Sequence, residues 1–418
     1  MDIIREKTRS GVVKVDQKSP RPDKPAKKQR INWHEVLSIL GLFTAWRLII
    51  WVIAFLAKGR LGLTGDPAYS WSTDAGQSWL DKIPSYLQYW ARWDSGWYLS
   101  IAENGYQWTA PKEWSSVVFF PLYPQLIRLF SFITNNQYAL AGVIVSSLCT
   151  LATCFYLFYL VKAEIGQRTA LRSVLYMLIF PTSIFLASIY SESLFLLTVV
   201  ASFYHARRGQ WYAASVWSML ASLTRPAGII MLGILLVEYL EQRGFNPLKI
   251  KASSLNLLLI PGGLGLYMYY LYYKFDNPYL FAFAQDAWNR QTVISFSHFW
   301  NTISRYFNTL INPQQENFAL YLTHSLDFIF FIVFAALSIV VLVSYRRSYG
   351  LYMLLYLLIP AVTGTFMSMS RFTLALFPAF ILLAKWGRHQ TLNYATITLC
   401  SMLSALFITM FVNTYWIG

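Results

Sequence analysis

The sequence predicts an all-α protein that crosses a membrane about eleven times. Of its 418 residues, 56% are hydrophobic and 18% aromatic, only 13% are charged, and the mean hydropathy is +0.41. Soluble domains carry roughly 25% charged residues. Apolar runs of helix length recur along the chain, and basic residues follow many of them. Such a composition is typical of a polytopic membrane protein, in which helices satisfy every backbone polar group within the bilayer.

The first 32 residues differ in composition from the rest. Ten lysines and arginines stand there against four acids, among several prolines and without apolar periodicity. We predict a disordered basic tail. The rule that basic flanks stay inside places this tail in the cytoplasm, and the net charge of +15 is explained by topology and anionic lipid rather than by nucleic acid.

The apolar runs after the tail define the predicted crossings. They cover 35–58, 138–161, 170–188, 194–205, two short helices within 211–240, 255–273, 320–344, 351–366, 372–384 and 392–412. Two connections, 59–134 and 275–319, are far longer than a connector requires and are predicted to be outer loops. With this assignment every basic connector lies on the side of the membrane opposite these two loops.

Segment 117–134 allows two topologies. If it crosses the membrane, Lys162, Arg168 and Arg172 lie outside, and if it lies in the interface they lie inside. The charge rule favours the interfacial arrangement.

The run around Asp94 is the most informative stretch of the first outer loop. Read as one helix over 84–104, it forms an aromatic face at i, i+4, i+7, i+11 and i+15. The residues of this face are Tyr86, Trp90, Trp93, Trp97 and Ile101. Because tryptophan and tyrosine prefer the boundary between membrane and water, the helix would hold the Asp94 carboxylate at the membrane surface. The alternative is an anchor helix whose aspartate only faces water.

Ionisable side chains are predicted to meet at the outer ends of the helices. They are Arg92, Asp94, Glu192, Arg225, Arg371 and, in the second loop, Asp276, Asp286, Arg290 and His298. A carboxylate can take a proton from a hydroxyl, and arginines match phosphate oxygens in geometry and charge, so this set suits a sugar attached to a phosphate. Alternatively, each arginine pairs with lipid headgroups and Glu192 caps a helix.

Several kinds of site are not indicated. The sequence has no Gly-rich phosphate loop, P-loop or nucleophile elbow, so a soluble nucleotide donor is not suggested. His205 and His298 lack metal-ligand spacing, and no metal or cofactor is predicted. The cysteines Cys149, Cys154 and Cys400 lie in apolar runs and are predicted to be small core residues.

Several motifs resemble those of the PIG-V family, the GPI mannosyltransferase II family, and its prokaryotic relatives. The matching stretches, in order, are Arg92-Trp93-Asp94-Ser95-Gly96-Trp97-Tyr98, Ile101-Ala102-Glu103-Asn104-Gly105-Tyr106, Phe119-Phe120-Pro121-Leu122-Tyr123-Pro124, Ser188-Ile189-Tyr190-Ser191-Glu192-Ser193, Thr224-Arg225-Pro226-Ala227-Gly228, Ala284-Gln285-Asp286-Ala287-Trp288-Asn289-Arg290, Arg371-Phe372 and Phe377-Pro378. Thr224-Arg225-Pro226 differs from the eukaryotic form of this turn.

The resemblance implies a GT-C fold over 33–418 with an extracytoplasmic active site. It further implies an inverting glycosyltransferase that uses a polyprenyl-phosphate sugar, needs no metal and has Asp94 at the reaction centre. The substrate-binding residues expected with it are Arg92, Trp93, Trp97, Glu192, Arg225, Gln285, Trp288, Arg290 and Arg371. A lipid-linked or surface glycan would be the acceptor, in a prokaryotic cell membrane or, for a eukaryotic chain, the ER membrane.

Two other functions remain open at this point. A transporter or flippase of lipid-linked sugars would carry charges at mid-membrane and pseudo-symmetric halves, and no internal repeat is evident. A non-catalytic scaffold subunit would tolerate the loss of Asp94.

Overall fold

The computed structural model describes residues 32–60, 80, 83–110, 113–288, 290, 296–313 and 318–417. In these ranges the regular structure is helical and no strand occurs, which confirms the all-α prediction. The predicted tail lies outside the described residues except for Asn32, as does much of the first outer loop.

Seventeen α-helices are described. They are α1 (Trp33–Ala57), α2 (Asp94–Asn104), α3 (Leu122–Ser131), α4 (Tyr138–Glu164), α5 (Gln167–Leu178), α6 (Ile184–Ala187), α7 (Glu192–Arg207), α8 (Trp211–Thr224), α9 (Met231–Glu241), α10 (Ile260–Phe275), α11 (Leu280–Phe283), α12 (Phe296–Ile311), α13 (Phe318–Ser344), α14 (Arg347–Val362), α15 (Met369–Phe372), α16 (Phe377–Trp386) and α17 (Gln390–Val412). Short 3₁₀ turns lie at Gln88–Trp90, Ser116–Val118, Pro226–Ile230, Pro247–Lys249, Ala252–Leu259, Ala284–Trp288 and Thr373–Ala375.

Five of the described helical segments are long and apolar enough to cross a bilayer. They are Trp33–Ala57, Tyr138–Glu164, Ala252–Phe275, Tyr321–Ser344 and Gln390–Val412. A sixth is possible where Met369–Ala375 and Phe377–Trp386 meet at a bend of 76°. The predicted count of eleven is not confirmed, because the other predicted crossings form helices of 11–16 residues, shorter than a bilayer core of ~30 Å requires.

Prolines mark the boundaries of two helices, α8 and α10. α8 ends immediately before Arg225 and Pro226, as the predicted turn requires. A Cβ added to Gly228 would lie 2.3 Å from the Ala221 carbonyl carbon, so only glycine permits this turn to pack on α8. Pro261 lies in the first turn of α10, where its missing N–H costs nothing, and the 3₁₀ segment Ala252–Leu259 precedes this helix.

The prediction of one helix over 84–104 is wrong in its first half. The helix begins only at Asp94, and Trp93 before it has φ +43°, which an α-helix does not allow. Tertiary hydrogen bonds fix this turn: Arg92 N–H donates to Ser95 Oγ at 3.1 Å, and Tyr190 Oη donates to the Arg92 carbonyl at 2.9 Å. They override the helical pattern of the sequence.

The aromatic face predicted for that helix is therefore divided. Trp90 is 3% exposed, whereas Tyr86 is 53% exposed. Asp94 is not held at the surface either. It is the first residue of α2 and is 8% exposed.

The centre of the bundle is α7. Thirteen of its sixteen residues are buried, and it packs against α4 and α8. By contrast, α1 exposes Leu48, Ile49 and Phe55, as expected of a helix that faces lipid. Cys149 and Cys154 are buried thiols, which confirms their interpretation as core residues, whereas Cys400 is only partly buried.

A buried ion network ties four segments at the C-terminal end of α7. Arg207 Nε lies 2.6 Å from Glu164 Oε1, and its Nη1 lies 3.2 Å from Glu238 Oε1. Arg346 Nη1 lies 2.8 Å from the same Glu238 atom, and Ser348 Oγ donates to Glu238 Oε2 at 2.5 Å. This network lies one helix length away from Glu192, the first residue of α7.

Candidate active site

Asp94 and Arg371 form a buried ion pair between α2 and α15. Arg371 Nη1 lies 2.7 Å from Asp94 Oδ2. The carboxylate also benefits from its place at the N-terminus of α2, where the helix dipole favours negative charge. Its second oxygen, Oδ1, accepts no hydrogen bond from the described residues. Asp94 is thus oriented through one oxygen and open at the other.

Glu192 extends this pair into a row of alternating charges. Its Oε1 pairs with Arg225 Nη2 and lies 3.1 Å from Arg371 Nε, an ion-pair contact without hydrogen-bond geometry. The order Asp94, Arg371, Glu192, Arg225 is called the charged row below. Glu192 is 4% exposed and occupies the first turn of α7. It therefore has the predicted position at a helix end and contacts two arginines from there.

Hydroxyl groups fix the Arg225 end of the row. Arg225 Nε donates to Ser191 Oγ at 3.1 Å, and its Nη1 donates to Tyr356 Oη at 3.3 Å. Tyr98 Oη donates to the same Ser191 oxygen at 2.8 Å. Burial raises the pKa of Tyr98, so this phenol stays protonated and remains a donor.

Arg290 is the cation of the site that has no carboxylate partner among the described residues. Its Nη2 donates to the Met367 carbonyl at 3.1 Å, and its guanidinium lies 5.4 Å from the centre of the Phe372 ring. Burial lowers the pKa of Arg290 to about 10, and the charge of Arg371 lowers it as well. At neutral pH the group remains a cation. With Arg290 the site holds three arginines and two carboxylates, an excess of one positive charge.

An aromatic wall lies beside Asp94. Trp97 is three residues further along α2, on the same side of the helix. It stacks on Phe119 with ring centres 5.9 Å apart and meets Trp288 edge to face at 6.2 Å. Trp114 contacts Trp288 at 4.2 Å, and both Trp97 and Trp114 are only partly buried. The wall presents flat apolar surface next to a carboxylate.

Comparison with known proteins shows the family. Residues 38–275 match the family model described as Mannosyltransferase (PIG-V). The chain belongs to the PIG-V family. The resemblance found in its motifs is confirmed.

Relatives of this PIG-V protein include GPI alpha-1,6-mannosyltransferase 2 of Mus musculus, 29% identical over 210 residues that cover 45% of this chain and 41% of the relative. GPI mannosyltransferase 2 of Candida albicans is 27% identical over 237 residues, covering 50% of this chain and 58% of the relative. The matches thus span about half the length of these relatives.

The fold of the PIG-V chain is similar to that of a solved GT-C enzyme. ArnT from Cupriavidus metallidurans, bound to undecaprenyl phosphate, aligns with a TM-score of 0.51 and 12% identity, over 90% of this chain and 76% of ArnT. The GT-C fold is confirmed, and the apolar helices and the family identify an integral membrane protein.

Not every predicted site residue of the PIG-V chain joins the charged row. Arg92 donates to the carbonyls of Ala91 and Val412, at 2.9 and 3.1 Å, and thereby binds the C-terminal end of α17. The Trp93 ring packs against Phe411 and Trp416, each at 5.4 Å. Both residues brace the turn before Asp94.

Gln285 contributes through its main chain. Its carbonyl accepts the Arg290 N–H at 3.1 Å and so fixes the start of the segment that carries Arg290. Trp288, in the same turn, belongs to the aromatic wall.

Sequence reasoning missed the hydroxyl groups at the Arg225 end of the row: its partners Ser191 and Tyr356, and Tyr98, which donates to Ser191. Tyr98 and Ser191 lie within motifs that were noticed for their charges. Tyr356 lies in the apolar run of α14, and no local signal distinguishes it from a core tyrosine.

Proposed function

We propose that this PIG-V family chain is a membrane mannosyltransferase that moves mannose from a polyprenyl-phosphate donor to a lipid-linked or surface glycan. The observation that carries the proposal is the charged row with its positive excess. One carboxylate oxygen is open beside three arginines, which is the arrangement that transfer from a sugar phosphate to a hydroxyl requires.

The donor phosphate would bind at Arg290. A polyprenyl-phosphate sugar is a phosphodiester with one negative charge, which equals the excess positive charge of the site. When the sugar leaves, the phosphate gains a second charge, and Arg371 and Arg225 lie close enough to share it. The undecaprenyl phosphate bound by ArnT supports a lipid phosphate as the donor carrier.

The reaction would be a single displacement with inversion. The acceptor oxygen attacks the anomeric carbon while the bond from that carbon to the phosphate oxygen breaks, and the electron pair leaves with the phosphate. The hydroxyl proton passes to Asp94 Oδ1, because Oδ2 is held by Arg371. In this mechanism Asp94 is the catalytic residue, Glu192 orients two arginines, and no metal takes part.

The aromatic wall would bind the acceptor sugar. Trp97 is one helical turn from Asp94, so a sugar ring stacked on it would present a hydroxyl toward the carboxylate. Its neighbours Trp114 and Trp288 enlarge the same apolar surface.

The proposed topology places the tail of residues 1–32 in the cytoplasm and the domain 33–418 in the membrane, with both large loops extracytoplasmic. α3 has ten residues and is about 15 Å long, which supports an interfacial position for 117–134. The charged row joins helix ends rather than helix centres, which favours an enzyme over a transporter.

A transfer assay tests the function. The purified chain in nanodiscs receives radiolabelled polyprenyl-phosphate mannose and an alkyl mannoside as acceptor. We expect a mannosylated product with inverted anomeric configuration, at a rate unchanged by EDTA. Product from a sugar nucleotide alone, or complete loss with the chelator, would contradict the proposed donor chemistry. Transport of the intact donor without transfer would support a flippase instead.

A further inference from the structure

One buried carboxylate lies outside the charged row and outside the proposed reaction. Asp327 lies on α13, within a segment apolar enough to cross the membrane, and is 0% exposed. Its Oδ1 accepts the main-chain N–H of Ser370 at 2.8 Å, and its Oδ2 accepts that of Ser368 at 3.0 Å. A carboxylate at such a position is costly unless it is hydrogen-bonded, and these two amides supply the bonds.

The segment that Asp327 binds is the one that presents Arg371. Ser368 has φ +70°, a left-handed conformation that residues with a Cβ rarely adopt. α15 follows with only four residues and contains Ser370 and Arg371. A helix this short does not hold its own shape, so bonds from outside must fix it.

The same segment also reaches Arg290. The carbonyl of Met367, the residue before Ser368, accepts the hydrogen bond from Arg290 Nη2. Asp327 therefore binds the turn that carries Arg371 and that also accepts the hydrogen bond from Arg290.

We propose that Asp327 is a positioning residue, which sets Arg371 opposite Asp94 by binding the amides of Ser368 and Ser370. The expected effect of Asp327 on the reaction rests on the mannosyltransferase function proposed above. The position of the turn does not depend on that function, because the two hydrogen bonds from the main-chain amides to Asp327 hold the turn whether or not a sugar is transferred.

The kinetic test combines two substitutions. Asp327→Asn keeps the shape of the side chain but turns an NH₂ group toward one of the amides. We expect kcat, normalised to folded protein, to fall about 10- to 100-fold, since small displacements of a positioned group have this effect. If Asp327 acts through Arg371, the double variant Asp327→Asn/Arg371→Gln is no slower than Arg371→Gln alone. Losses that multiply would overturn the proposal.

Glu238→Gln is the matched control. Glu238 is equally buried and also accepts several hydrogen bonds, but at the far end of α7. We expect lower thermal stability with an unchanged kcat per folded protein. A loss of turnover equal to that of Asp327→Asn would reduce the role of Asp327 to general stability and overturn the proposal.

Hydrogen exchange gives a readout that is independent of activity. In Asp327→Asn, amides of 366–372 should exchange faster than in the wild type, whereas Glu238→Gln should leave them unchanged. If these amides exchanged in Asp327→Asn at the same rates as in the wild type, the inference would be overturned. If the wild type transfers no mannose but exchange responds as expected, the proposed function fails and the positioning of the turn stands.

Discussion

Arg371 donates to Asp94 across 277 positions of the sequence, through Nη1 and Oδ2 at 2.7 Å. The bond leaves Asp94 Oδ1 without a hydrogen bond from the described residues, on the first residue of a helix. One oxygen is therefore fixed while the other can receive a proton. An aspartate that only anchors a helix does not need this division, which supports the proposed role of Asp94 as a general base.

The first prediction concerns Asp94→Asn. Asparagine keeps the size of the side chain but cannot accept the proton, so kcat should fall by ~10²–10⁴ with folded protein unchanged. Glu103→Gln is the control, since Glu103 is an exposed acid on the same helix and should retain full activity. Turnover of Asp94→Asn near that of the wild type would remove Asp94 from the mechanism and direct attention to Glu103 and Glu192.

Arg290→Gln should weaken donor binding. Loss of a hydrogen bond between charged groups removes about 1.5–3 kcal/mol, so the KM for the donor should rise by about 10- to 100-fold. Direct binding of polyprenyl phosphate, measured by calorimetry, should weaken by the same factor. Arg128→Gln, an exposed arginine on α3, is the control. Equal donor affinities in the wild type and Arg290→Gln would place the phosphate elsewhere.

Trp97→Ala tests the aromatic wall. A stacked aromatic contact contributes about 0.5–1.5 kcal/mol, so the KM for the acceptor should rise by roughly 3- to 10-fold while the donor KM stays constant. Trp97→Phe keeps an aromatic ring, so its KM for the acceptor should lie between those of the wild type and Trp97→Ala. A rise in the donor KM instead would show that the wall binds the donor sugar.

Trp93→Ala separates bracing from substrate contact. The Trp93 ring makes two edge-to-face contacts, with Phe411 and Trp416, and its backbone is held at φ +43°. Losing both contacts should lower the free energy of unfolding by about 1–3 kcal/mol and reduce kcat, because the turn before Asp94 loosens. Both KM values should remain constant. An unchanged melting temperature with a higher donor KM would instead make Trp93 a binding residue.

Single cysteines test the topology. We expect Asn301→Cys, in α12, to react with an impermeant reagent from outside, and Gln167→Cys, at the start of α5, to react only after permeabilisation. Both cysteines should be introduced into a protein that also carries Cys400→Ser, because Cys149 and Cys154 are buried and Cys400 is only partly buried. Labelling of position 167 from outside would make 117–134 a true crossing.

Local sequence signals singled out all four residues of the charged row but not how they pair. Motif and breaker residues placed Asp94, Glu192, Arg225 and Arg371 in the outer layer, although Asp94 was predicted within a helix over 84–104 rather than at a helix start. That Arg371 meets Asp94 and that Glu192 bridges two arginines depends on how distant helices pack. Periodicity within one helix contains no information about such contacts.

The sequence did not predict the start of α2 or the role of Asp327, and the reasons for the two differ. The pattern over 84–104 was helical, and it was overridden by the hydrogen bonds of Arg92 and by the packing of Trp93. Asp327 carried a usable signal, since a single acid in a long apolar run is expensive and indicates a specific partner. Its partners are backbone amides, which no side-chain pattern reveals.

The charged row also constrains the order in which the protein can mature. The segment that matches the family model, 38–275, contains Asp94, Glu192 and Arg225, which sum to one negative charge. Arg290 and Arg371 are synthesised later and bring the sum to one positive charge. A ribosome-bound chain that has not reached Arg371 thus holds the Asp94 carboxylate without its cation. We expect such a chain to stay open at this point, so that the residues after 275 close the proposed site.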